Sequence, residues 1–161
     1  MELVTKKRLQ LFSGRINVAE RFSQHLDADL AFVYKRRRKD VHNVVEAREV
    51  IGDVDGRHCV IVDDMIDTAS TLCAAAEILT ERGATCVWAM ATHGVLSDPA
   101  TDRLKNSSIE REVLTTTLPL PPEKQIDKFD VLSVAKIVAD AVDAVFVDTS
   151  VSEIFGGENQ S

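Results

Sequence analysis

V-I-V-D-D-M-I-D-T-A-S-T, residues 60–71, is the stretch on which both fold and function turn. Its first part is short and apolar, the pattern of a buried strand, which begins at His58 and closes at Val62 before Asp63 and Asp64. A turn of small polar residues follows. A helical pattern then runs from Ser70 to Arg82, with Leu72, Ala75, Ala76 and Leu79 on its apolar face. Gly83 stops it, as a glycine just past a helix end does. In parallel α/β sheets, ligands bind beyond the carboxyl ends of the strands. A helix start presents unpaired N–H groups and the positive end of a dipole, which suit a dianionic phosphate. The residues of this turn are Asp67, Thr68, Ala69, Ser70 and Thr71. Thr68, Ser70 and Thr71 supply hydroxyls, and Ala69 and Ser70 are small enough for the backbone to approach a ligand.

Asp63 and Asp64 stand where a sugar attached to that phosphate would reach. Carboxylates accept hydrogen bonds from vicinal hydroxyls, directly or through Mg²⁺. The stretch therefore has the parts to hold both ends of a ribose 5-phosphate. The competing reading is an acidic strand end before an ordinary capped helix. Against it, Asp63, Asp64 and Asp67 would repel one another without a partner.

Outward from this centre, strands alternate with helices. The spacing of Ile16, Val18, Ala19, Phe22 and Leu26 predicts a helix over 15–26, and 28–34 reads as a buried strand. A basic run, residues 35–39, follows that strand. Residues 40–49 read as a loop or flap, and 53–56 as a turn. Further strands are expected at 86–92, 112–116 and 130–132. Helices are expected from Pro99 to Leu104, capped by Asp98, and from Ser133 to Val147. The first twelve residues show no clean period, with a short strand possible over 2–5, and the tail from Gly156 reads as disordered. Such alternation predicts an α/β fold of three layers, a mostly parallel sheet flanked by helices.

Composition narrows the function. The chain has 161 residues, enough for one domain with a real core, and a formal net charge of −7. That charge argues against general nucleic-acid binding, which wants a basic surface. Cys59, Cys73 and Cys86 sit in apolar runs without a C-x-x-C and read as buried, reduced thiols. No apolar run reaches membrane-spanning length and no segment has a signal-peptide layout, so a cytoplasmic protein without membrane contact is expected. Trp88 and Phe32 are expected in the core. His93 reads as a hydrogen-bonded structural histidine, and His42 and His58 as surface or edge residues.

V-D-D-M-I-D-T-A-S-T resembles the phosphoribosyl-pyrophosphate (PRPP) motif, in the wording used by ribose-phosphate pyrophosphokinases, the PRPP synthetases. Five further segments resemble the C-terminal half of that family: L-A-F-V-Y-K-R-R (30–37), I-G-D-V-D-G-R (51–57), A-T-H-G-V-L-S-D-P-A (91–100), T-T-T-L-P (115–119) and S-V-S-E-I-F (150–155). The resemblance covers residues 13–155. It implies a type I phosphoribosyltransferase-like domain there, a divergent segment over 1–12 and a tail over 156–161. It implies transfer of pyrophosphate from ATP to the C1 hydroxyl of ribose 5-phosphate, with Mg²⁺, in a homo-oligomer. By similarity, residues 67–71 hold the 5-phosphate and Asp63 and Asp64 the ribose hydroxyls. Lys35 and Arg37, in a catalytic loop, meet the transferring phosphates. No residue is singled out as a dedicated metal ligand.

The chain departs from the family in three places. The family has two tandem domains, and the other half carries most ATP contacts. Phe12 stands where the family has a Mg²⁺-binding Asp, and Ser70 where it usually has Gly, which a negative φ would make tolerable. A chain that lacks full synthetase activity alone is therefore expected. The rival readings are a phosphoribosyltransferase, which shares the phosphate loop, and a non-catalytic regulatory relative of the synthetase.

Overall fold

The computed structural model describes residues 9–13, 16–36 and 47–155. Seven strands form one sheet: β1 (Leu9–Ser13), β2 (Asp29–Arg36), β3 (Ala47–Ile51), β4 (His58–Ile66), β5 (Cys86–Gly94), β6 (Arg111–Thr115) and β7 (Phe129–Leu132). Four helices accompany them: α1 (Ile16–Leu26), α2 (Ser70–Glu81), α3 (Ala100–Lys105) and α4 (Ala135–Phe146). The strand order is β3-β2-β1-β4-β5-β6-β7, and every pairing is parallel except the antiparallel β2–β3 ribbon.

The layers follow from strand alternation. Cys59 and Ile61 of β4 join Val87, Ala89 and Ala91 of β5 in a core closed by Leu72, Ala76 and Leu79 of α2 and by Ala100 and Leu104 of α3. The alternate residues Val60 and Val62 pack on the opposite face with Phe22 of α1 and Met90. Helices thus cover both faces of a mostly parallel sheet, the expected three-layer architecture. Gly83, at φ 93, ends α2 in a conformation that a side chain would strain, and its carbonyl accepts a bond from the Gly56 N–H at 2.9 Å.

Several sequence expectations change. β1 is a central strand between β2 and β4, although its five residues carry no clean alternation. Residues 47–49, expected in a loop, belong to β3, where pairing with β2 rather than local pattern decides. β4 runs on to Ile66, so Asp63 and Asp64 lie within the strand and not after it. α3 begins at Ala100, with Pro99 at φ −101 as its N-cap and no capping bond from Asp98. The Ala100 N–H instead donates to Ser97 O at 2.9 Å, closing a turn that delays the helix. Trp88, expected in the core, is 42% exposed; it alternates with Val87 and Ala89, which face the α2 core. Cys59 and Cys73 are buried, and Cys86 is only partly so. The side-chain environment of Phe32, and all structure at 2–5, His42 and the tail from Gly156, fall outside the described residues. No described helix is long and apolar enough to cross a membrane.

Candidate functional site

The chain leaves β1 toward β2 and β3 on one side, then returns to the other side to form β4. The gap between the carboxyl ends of β1 and β4 is therefore the topological switch point, where open α/β sheets bind ligands. Residues 67–71 lie just past the end of β4. The sequence-derived turn and the fold-derived crevice coincide.

Within the turn, Ala69 takes φ 59 and ψ 4, the left-handed region, and α2 starts at Ser70. Ser70 itself has no positive φ, so the residue that replaces glycine in the motif sits in ordinary helical backbone. Ala69 makes no side-chain cap, and the first N–H groups of a helix lack intrahelical acceptors. A left-handed residue followed by right-handed ones forms a concave nest of N–H groups suited to an anion. Thr68 Oγ1 and Ser70 Oγ lie 3.3 Å apart at its rim, and Asp67, Ser70 and Thr71 are exposed. The methyl of Ala69 is buried in the α2 core, which fixes the nest to the scaffold.

Asp63 and Asp64 are partly buried, and the Asp64 N–H donates to Asp63 Oδ1 at 2.9 Å. Both line a groove of about 300 Å³ with Phe22, Val62, Met90 and Leu132. Two carboxylates at the end of a strand, beside an open groove, suit a hydrated divalent cation shared with ligand oxygens. Among the described residues no cluster of three or more His, Cys, Asp or Glu could hold a metal unaided.

The structure brings Lys35 to the same edge. Ala31 and Ile61 both pair with Phe12 of β1, so Lys35 stands level with Met65 two strands away. At the usual strand spacing that separates their backbones by about 10 Å. Arg37 lies outside the described residues.

His93 lies one residue before the end of β5, beside β4 and opposite Met65. Its Nδ1 is hydrogen-bonded to Thr117 Oγ1 at 2.9 Å, and that hydroxyl lies 2.8 Å from Thr92 O. This satisfies the expectation of a hydrogen-bonded histidine. Burial pushes the Cys59 thiol up to about 12 and the Cys86 thiol to about 11, and raises Cys73 as well, which disfavours the thiolate form that nucleophilic chemistry uses.

Sequence reasoning missed two features. The Arg103 guanidinium donates to Thr68 O at 2.8 Å, and nothing in the spacing of α3 signals that contact. Glu112 is fully buried on β6 with neither carboxylate oxygen hydrogen-bonded, in a strand whose alternation marks an inward position.

The family model of the phosphoribosyl synthetase-associated domain matches residues 16–156. A ribose-phosphate pyrophosphokinase of Streptomyces avermitilis is 57% identical over 143 residues, which are 89% of this chain and 44% of that protein. One from Bifidobacterium longum is 50% identical over 144 residues, 42% of its length. The chain thus spans under half the length of the curated relatives it matches. The crystal structure of phosphoribosylpyrophosphate synthetase from Mycobacterium smegmatis superposes with a TM-score of 0.80 at 38% identity, over 88% of this chain and 46% of that one. An orotate phosphoribosyltransferase from Aeropyrum pernix (TM-score 0.52, 16% identity, 83% of this chain and 66% of that one) shares the fold.

Proposed function

Because the chain belongs to the phosphoribosyl synthetase-associated domain family, we propose that it is the ribose 5-phosphate-binding, C-terminal half of a ribose-phosphate pyrophosphokinase. The reaction transfers pyrophosphate from ATP to the C1 hydroxyl of ribose 5-phosphate. The observation that carries this reading is the left-handed nest at Ala69, set directly after β4, the strand that carries Asp63 and Asp64, at the switch point.

The N–H groups and hydroxyls of residues 67–71 hold the 5-phosphate, and Asp63 and Asp64 orient the ribose hydroxyls. The same carboxylates would hold a hydrated Mg²⁺, which would supply positive charge to the phosphates. Lys35 and Arg37 meet the β- and γ-phosphates of ATP as cations. Little covalent work falls to the protein in such transfers, so position and charge dominate. The relatives' names and the synthetase-like K-R-R run favour this reading over a phosphoribosyltransferase. Assembly into an oligomer and a cytoplasmic location belong to the same proposal.

The chain covers 44% of its relative, and the family resemblance puts Phe12 where a metal-binding Asp would stand. The expected outcome of a coupled assay for PRPP from ATP and ribose 5-phosphate is therefore little or no turnover by the purified 161-residue chain. Robust turnover would overturn the half-enzyme reading.

A further inference from the structure

The Thr68–Ala69 peptide is trans, since the described chain has its cis bond at Asp98–Pro99. A trans peptide places its C=O and N–H on opposite edges of one plane. Arg103 Nη1 holds the Thr68 oxygen at 2.8 Å from the α3 side. The Ala69 N–H therefore points away from the Arg103 guanidinium, on the opposite edge of that peptide plane. Ala69 also keeps a left-handed conformation that costs a non-glycine residue about 1–2 kcal/mol. Such a conformation persists only where its surroundings hold it.

Arg103 has a firm base from which to do this. Its neighbours Ala100 and Leu104 on α3 are fully buried in the α2 core. Lys128 Nζ donates to Leu104 O at 2.9 Å and to Ser107 O at 3.0 Å, fastening the end of α3. The arginine is exposed, yet it joins two segments 35 residues apart.

We propose that Arg103 is a positioning residue for the phosphate site: it fixes the Thr68–Ala69 peptide so that the N–H groups of the nest converge on the anion. The inference rests on residues 67–71 being the 5-phosphate site. Arg103 acts through the peptide and not by touching the ligand. Loss of this contact is expected to cost about tenfold in ribose 5-phosphate affinity.

The test titrates ribose 5-phosphate, and ribose as control, into the full chain by calorimetry, and follows the Ala69 amide by ¹⁵N NMR. Wild type is expected to bind ribose 5-phosphate over ribose, with a large shift of the Ala69 amide. Arg103→Met is expected to weaken ribose 5-phosphate about tenfold or more and to lose most of that amide shift. Arg103→Lys is expected to fall between the two. Wild-type affinity and amide shift in Arg103→Met would overturn the positioning role while leaving the phosphate site standing. If that variant does not fold, the same result in Arg103→Gln overturns it. Failure of wild type itself to prefer ribose 5-phosphate would overturn both the role and the site.

Discussion

Ala69 carries two opposed demands in one methyl group. Its left-handed backbone favours glycine, while its side chain, 5% exposed, contributes to the α2 core. Ala69→Gly relieves about 1–2 kcal/mol of backbone strain. It gives up about 0.8 kcal/mol of methyl burial and about 0.4–1 kcal/mol through a freer unfolded chain. The expected net change in urea unfolding is within about 1 kcal/mol of zero. Ala69→Val adds a β-branched side chain to the same φ and is expected to lose more than about 2 kcal/mol. Equal stability of the valine variant would contradict the left-handed assignment. The sequence named Ala69 for its size alone; its conformation depends on how β4 meets α2, which no local pattern records.

At the scale of elements, legibility followed hydrophobic pattern. α2 and β5 are strongly patterned and lie within two residues of their expected ends, whereas β4 runs four residues past the expected end at Val62, through the polar Asp63 and Asp64. β1 and β3 are five residues each, too short for periodicity, and are strands because neighbouring strands pair with them. That matters for the site, since β1 creates the switch point. β6 hides a different cost. Burial pushes the Glu112 carboxyl up to about 7, against a weaker pull from Lys128, whose ammonium is committed to the carbonyls of Leu104 and Ser107. The folded state keeps this proton to about pH 7, while an unfolded chain releases it near pH 4.3. Its contribution to stability is thus present at low pH and lost as pH rises through that window. Glu112→Gln is expected to gain stability relative to wild type between pH 5 and pH 8, by up to about 3 kcal/mol. Urea unfolding of both proteins at the two pH values measures it; an equal difference at both would show that Glu112 is ionised throughout.

At the scale of the whole molecule, the fold gathers to one edge what the sequence scatters. Asp63 and Asp64, the 67–71 nest, the end of β2 with Lys35, and His93 all stand at the carboxyl ends of parallel strands. The acidic net charge and the phosphate turn were legible from composition and local pattern. The tie from α3 through Arg103 was not, because it joins residues that only the three-dimensional fold makes neighbours. Much of the apolar surface of α4 remains exposed, including Val142, Val145 and Phe146. The central claim concerns the turn itself, and calorimetric titration of the full chain with ribose 5-phosphate and with ribose, each with Mg²⁺, tests it most directly. The account predicts one ribose 5-phosphate bound per chain, ribose bound far more weakly, and the preference reduced in Thr68→Val combined with Thr71→Val, which removes two hydroxyl donors. Equal binding of the two sugars, or an undiminished preference for ribose 5-phosphate after those substitutions, would contradict it.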